Sequence, residues 1–390
     1  MKFLSAVLLG LTATAGTLAQ SSGNATAFAE GLLSALRQNN LTALADAVGN
    51  NSQALLAALQ GGNKTVLAPT NQAFQALGGD VDTDTLVATI AYHGMYNSFF
   101  SFLNGSYTDS AITTDGKTIA PTALTMSDYV MLGGRNRSQV AVLSKQASNN
   151  TNYVQLASGI VSFALTMDGP QYQNIRVQPI TQVLTIPGTT SEVAGQLGAS
   201  QLATLLQSAN LVDALDNSVV TVFAPANAAI EAAMSTIEMA TPEQQMAVLL
   251  NHVVNGTVVY STALGDTPRA TSASGNELMF MSNSSGAYVQ SGNITAKILM
   301  TDYVAKNGVI HIIDNVLVNT TSNPQAAGSA YSSATAAAAT QTSAAGTGPS
   351  ATASGSGSGG SNAAASLNIP GSGIAAAAAA LIGSGFWLLA

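Results

Sequence analysis

The chain has no cysteine among its 390 residues, so neither disulfides nor thiolate metal sites hold it together, and each core must be built by packing. Charge is scarce too. Only 8% of residues are charged and the formal net charge is -8, which argues against a phosphate-binding surface of clustered Lys and Arg. Nucleic acid is therefore not an expected partner. There are three histidines, no G-x-S-x-G elbow and no H-E-x-x-H helix, so the usual nucleophile and zinc constellations are missing. No catalytic residue, metal or cofactor is expected. The single tryptophan, Trp387, lies in the C-terminal tail and offers no stacked-aromatic sugar site.

What is present is a repeat. Val219–Ile230 reads VVTVFAPANAAI and Lys64–Phe74 reads KTVLAPTNQAF. Each is a β-branched, apolar run, then Ala-Pro, then Asn two residues after the proline. The run suits a buried strand. Pro69 and Pro225 lack the N–H a ladder needs and should end it, after which Asn71 or Asn227 turns the chain or caps a helix.

Around the first copy, Phe28, Leu32, Ala35 and Leu36 recur at helical spacing, as do Leu41, Leu44, Ala45 and Val48. Asp80, Asp82 and Asp84 invite a calcium reading that fails. An EF-hand loop opening at Asp80 needs Gly at its sixth position and an acid at its twelfth, where Thr85 and Ala91 stand. An acidic helix start is expected instead. From Thr108 to Val183 short runs of alternating polarity, broken by Gly, Asn and Asp, read as a mainly antiparallel sheet. Pro187–Ser191 is a short joint. Beyond it, Leu197, Leu202, Leu205, Leu206, Leu211 and Leu215 supply helical faces ahead of the second copy, and Pro242 is a plausible first position of the helix that follows. Asn307-Gly308 signals a hairpin, and the apolar run from Val309 to Leu317 reads as a strand buried on both faces.

TVFAPANAAI, a His after the next helix, and NGVIHIIDNVL, in that order, resemble the fasciclin (FAS1) domain, and LLQSANLVDALDNSVVTVFAP is similar to its usual opening. The resemblance covers Thr190–Thr320 well and Asn24–Pro187 more loosely. It implies an α+β fold, two tandem FAS1-like domains at 24–187 and 190–320, each a β-sandwich-like wedge with packed helices. The closing segments align Gln178 with His311 and Thr181 with Asp314, while Tyr92-His93 keeps the family's Tyr-His pair where the second copy has Asn251-His252. The candidate adhesion or structural motif is therefore Tyr92, His93, His252, His311 and Asp314, each domain keeping part of the family's set. In a strand, His311 and Asp314 point to opposite faces, poor geometry for a base and its orienting acid, and a hydrogen-bonded structural role is expected of the histidines.

The ends of the chain carry targeting signals. Met1–Ala19 has a charged start, a short apolar run and a small-x-small site, the pattern of a secretory signal peptide. Candidate N-glycosylation sequons follow at Asn24, Asn40, Asn50, Asn63, Asn104, Asn136, Asn149, Asn255, Asn283, Asn293 and Asn319. Past Asp314 no residue is charged. Residues 321–362 are a low-complexity Ser, Thr, Ala and Gly stalk, expected to stay disordered. Residues 363–390, a polar spacer and an apolar tail, read as a GPI-attachment propeptide with Asn362 as the anchored residue. With few prolines, the stalk is unlike the glycomodules of plant fasciclin-like arabinogalactan proteins and is similar to a fungal wall protein.

The sequence thus describes a GPI-anchored extracellular glycoprotein, not an enzyme, acting in adhesion or wall and matrix interaction. Its expected partners are cell-surface, wall or matrix components, protein or polysaccharide, and the membrane through a lipid anchor. Two other readings stand beside it. A carbohydrate- or lipid-binding module would retain a glycan or acyl ligand on purification. A wall-remodelling enzyme would lose turnover without unfolding on substitution of His252, His311 or Asp314.

Overall fold

The computed structural model describes residues 26–50, 59, 64–78, 81–96, 101–103, 106–108, 112, 116–134, 137–149, 151–163, 171–265 and 269–340. The signal peptide, the GPI signal with Asn362, and the sequons at Asn24, Asn63, Asn104 and Asn136 lie outside the described residues. The chain divides into two compact units: Met1–Met126, Leu143–Val154 and Ile160–Ile186 form the first, and Ser127–Val142, Gln155–Gly159 and Pro187–Ala390 the second. The expected boundary near 187–190 is thus less clean than the sequence suggests. Within the second unit, Met131 N–H donates to Lys306 O at 2.8 Å, and the Gln155 side chain donates to Thr301 O at 2.7 Å.

In the first unit, helices α1 (26–38) and α2 (Thr42–Asn50) bury Phe28, Leu32 and Leu36, and Leu44, Ala45 and Val48. Strand β1 (Lys64–Pro69) leads into α3 (Asn71–Ala76) and α4 (Thr83–His93). Asp82 caps α4 by accepting the Thr85 N–H at 2.9 Å, the acidic helix start the sequence predicts. Then come β2 (Gly94–Tyr96), β3 (Ser101–Leu103), β4 (Ser106–Thr108), β5 (Thr118–Pro121), β6 (Val140–Lys145), β7 (Asn152–Leu156), β8 (Gly159–Phe163), β9 (Gln171–Tyr172) and β10 (Ile175–Ile180), with β6, β7 and β8 each beginning or ending in the stretches 127–142 and 155–159 counted with the second unit. Two four-stranded sheets result, ordered β2-β1-β10-β9 and β5-β6-β7-β8. β1 runs parallel to β10 and antiparallel to β2.

The second unit rebuilds that frame. Helices α5 (Thr190–Gln196), α6 (Ser200–Ser208) and α7 (Val212–Asp216) precede β11 (Val220–Pro225), then α8 (Asn227–Met239), α9 (Pro242–Asn251) and β12 (Val253–Asn255). Strands β13 (Arg269–Thr271), β14 (Glu277–Asn283), β15 (Gly286–Ser291), β16 (Ile294–Ala305) and β17 (Gly308–Ile313) complete a seven-stranded sheet ordered β12-β11-β17-β16-β15-β14-β13. β11 again lies parallel to β17 and antiparallel to β12, and pairs Phe223 with His311 where β1 pairs Leu67 with Gln178. Both faces of β11 are covered, which explains its unbroken apolar run. Val220, Val222 and Ala224 enter a core shared with α5–α9, while Phe223 enters another with Phe280, Val289 and Ile298.

Local signals set the helix starts. Thr189 and Glu192 form a capping box on α5, and Thr241 and Gln244 one on α9 with Pro242 inside its first turn. The predicted hairpin at Asn307-Gly308 exists one residue earlier. Ala305 pairs with Gly308, so Lys306 and Asn307 make the turn, and Gly308 opens β17 with its Cα against the Val220 carbonyl, where a Cβ would collide. Glycine is needed there for strand approach, not for the turn.

The expected disordered stalk is corrected over its first half. Pro324–Thr340 is a helix, α10. Asn323 caps it by accepting the Ala326 N–H at 3.1 Å, proline occupies the first turn, and alanine, the strongest helix former, dominates the rest. It is fastened to the second unit, with Asn323 N–H donating to Ser274 O at 2.7 Å. Gly256, at φ +79, lies under Tyr331 and Ala334, 3.1 Å from where its own Cβ would stand. Composition pointed to disorder because it ignores this cap and docking surface. No helix among the described residues is long and apolar enough to cross a membrane.

Candidate functional site

The asparagines of the repeated motif do not cap the helices they begin. Thr70 caps α3 through the Ala73 N–H, and Asn71 reaches instead to α2, accepting the Ala43 N–H at 2.9 Å and donating to Asn40 O at 3.0 Å. Asn227 does the same for α6, accepting the Gln201 N–H at 3.3 Å and donating to Gly198 O at 2.8 Å. Each fills the open end of a helix distant in sequence. The motif therefore cross-braces the two helical layers.

His93 and His252 repeat one geometry. Each ends the helix before the short strand of its unit and is fully buried. Nδ1 of His93 donates to Thr89 O at 2.6 Å while Nε2 accepts the Leu184 N–H at 2.9 Å. Nδ1 of His252 donates to Val248 O at 2.7 Å while Nε2 accepts the Leu317 N–H at 2.9 Å. An acceptor at Nε2 requires the neutral ring. Burial pushes both imidazoles down to about 4, against the backbone carbonyl that favours the proton. Asn251 completes the second tie, donating to Leu317 O at 3.0 Å and accepting the Ser272 hydroxyl at 3.1 Å. Tyr92, which stands in its place in the first unit, is buried, and burial raises its phenol.

His311 uses the opposite tautomer. Its Nε2–H donates to Val259 O at 2.8 Å, its Nδ1 accepts the Asp302 N–H at 3.3 Å, and its ring stacks on Phe223 at 5.3 Å. Burial lowers it, with the Asp302 carboxylate pulling the other way. Asp314 lies just past the end of β17, exposed, and accepts the Lys297 N–H at 2.7 Å, so its partner is that backbone group and not His311. The acid facing His311 is Asp302, which sequence reasoning missed. Asp302 sits at φ +62 beside a register shift in β16, and its carboxylate takes the Ser261 N–H at 2.7 Å and the Ser261 hydroxyl. Serine, aspartate and histidine thus meet, but in the wrong order for catalysis. Ser261 contacts the acid rather than the base, and both ring nitrogens of His311 are engaged by backbone.

The described sequons separate by exposure. Asn40, Asn50, Asn149, Asn283 and Asn293 face solvent; Asn255 and Asn319 are half-buried. Among the described residues no group of three or more His, Asp or Glu is placed to hold a metal.

The second unit is a mixed α+β scaffold in which the polar residues singled out by sequence tie backbone to backbone. Residues 197–319 match the Fasciclin domain family. The chain is similar to "Fasciclin-like arabinogalactan protein CTB11" of Cercospora beticola, 25% identical over 260 residues covering 66% of this chain and 67% of that protein. It is also similar to a "Fasciclin-like arabinogalactan protein" of Arthroderma benhamiae, 25% identical over 269 residues, 67% of this chain and 60% of the relative's length. Among solved structures, a FAS1 domain pair from the insect cell adhesion molecule Fasciclin I aligns at 15% identity and a TM-score of 0.34, over 73% of this chain and 98% of that one.

Proposed function

We propose that this chain is a non-catalytic extracellular glycoprotein whose two units, both fasciclin-like, serve adhesion or interaction at a cell surface, wall or matrix. The observation that carries the reading is the commitment of His93, His252 and His311, all buried, to backbone hydrogen bonds at both ring nitrogens. A residue so engaged holds a fold together and does not move protons for a substrate. The Fasciclin domain at 197–319 and the similarity to two fungal fasciclin-like proteins support placement outside the cell. The repeat of frame, histidine tie and asparagine brace in the first unit supports its kinship with the second. Lipid anchorage at Asn362 completes the proposal.

The test is deletion of the gene in cells that express it, with adhesion to several substrates and to neighbouring cells measured alongside release of the protein by a phosphatidylinositol-specific phospholipase. Reduced adhesion and release carrying a glycolipid near Asn362 are expected. Unchanged adhesion across all substrates would overturn the adhesive role, and a C-terminal peptide intact to Ala390 would overturn the anchor.

A further inference from the structure

The helical layer of the second unit holds a cleft of about 320 Å³, open to solvent, between α6, α8 and α9. That size falls in the range of small-molecule sites, roughly 300–1,000 Å³. Its walls are apolar: Leu202, Leu205, Ile230, Met246 and Leu249 face the space. Among the described residues, no charged side chain lines it.

Three polar residues reach the cleft, and their donors are already committed. His252 is bonded to backbone at both nitrogens. The Ser208 hydroxyl donates to Thr204 O at 2.9 Å, and the Gln245 amide donates to Ile237 O at 2.9 Å and Ala240 O at 3.2 Å. The Ser208 oxygen and Gln245 Oε1 remain as acceptors. The wall therefore answers a ligand that brings donors.

The rim agrees in sign. Ile237 and Pro242 line the cleft, and their sequence neighbours Glu238 and Glu243 are exposed. Between positions 177 and 268 the chain has seven acidic residues and neither Lys nor Arg, so no basic group of this segment offsets those carboxylates. We propose that the α6–α8–α9 cleft is a binding site for a small amphiphilic cation, an apolar body seated among Leu202, Leu205, Ile230 and Met246 with a positively charged amine at the Glu238 and Glu243 rim. This site is separate from the adhesive role and does not depend on it.

The test is isothermal titration of the purified full-length protein at neutral pH with decylammonium, decanol and decanoate, each below its aggregation concentration. One site is expected, with the ammonium bound about five-fold more tightly than the alcohol, the carboxylate weaker than both, and the preference shrinking as salt is added. The double variant E238K/E243K, changed only at exposed positions, should lose the ammonium preference and keep the alcohol. Ala209→Phe, which fills the cleft, should abolish binding of all three, with circular dichroism checking the fold. Equal or tighter binding of decanol or decanoate, or an ammonium preference that survives the charge reversal, would overturn the proposal. So would absence of ammonium binding, or binding that persists in a folded Ala209→Phe protein. If that variant unfolds, the charge-reversal pair decides alone.

Discussion

His252 accepts the backbone N–H of Leu317 at 2.9 Å across 65 positions of chain, joining the end of α9 to the segment that closes the second unit. The same ring donates one turn back to Val248 O, and Asn251 beside it donates to Leu317 O, so Leu317 is held at both its backbone polar groups. Replacing His252 with Leu strands two buried backbone groups, at a cost of about 2–4 kcal/mol. Chemical denaturation should show that loss, and a His93→Leu variant a similar one. A midpoint unchanged in both would mean that water or a neighbouring group satisfies the orphans.

Acid should loosen both ties. The folded values of His93 and His252 are lowered to about 4 from an ordinary 6.5, so between those limits the unfolded chain binds more protons than the native one. Stability therefore falls as pH drops from about 6.5 toward 4, by about 3 kcal/mol per histidine once the folded rings titrate. Thermal melts across this window should slope downward toward acid. In the double His→Leu protein that slope should shrink, leaving the contribution of His311, which burial also lowers.

Asn227 braces α6 from outside it. Asn227→Ala should cost about 1–2 kcal/mol, the usual range for loss of a helix cap, and raise amide exchange at Gln201 specifically. Asn71→Ala should do the same at Ala43.

An alanine-rich helix of 17 residues is marginal in water on its own, so α10 depends on its docking. Tyr331→Ala should speed amide exchange across 324–340 by at least about ten-fold, while β11 and β17 stay protected. Exchange no faster than in the parent would mean that the cap and alanine content suffice.

Glycan mapping by mass spectrometry should find occupancy at Asn283 and Asn293, exposed at the two ends of β15, and none at Asn255. Asn255 is paired to Val220 within the sheet and its side-chain oxygen is buried. A glycan needs solvent around its root. Full occupancy at Asn255 would show that transfer precedes closure of β12.

Much of the frame was legible in sequence because it rests on local chemistry: the apolar runs of β11 and β17, proline at the end of β11, Pro242 in the first turn of α9, Asp82 at the start of α4. The site was legible only as residue types. The resemblance to the FAS1 pattern gave His93 and His252, but their partners at Leu184 and Leu317 are backbone groups, which leave no mark in a side-chain alphabet. Asp302 escaped because its place beside His311 comes from a register shift in β16, a property of pairing and not of spacing. Asn71 and Asn227 were read as turning the chain or capping the helix that follows, because only the fold brings α2 and α6 within reach. The segment 324–340 was misjudged because bulk composition outweighed an Asn-Pro helix start that was in plain view.

That last helix changes how far the protein can stand from whatever holds its C-terminus. If attachment is at Asn362, the chain from Thr340 to that residue, drawn fully taut, spans at most about 75 Å, whereas a tether beginning at Thr320 would reach nearly twice as far. The shorter leash keeps the second unit close to its anchoring surface.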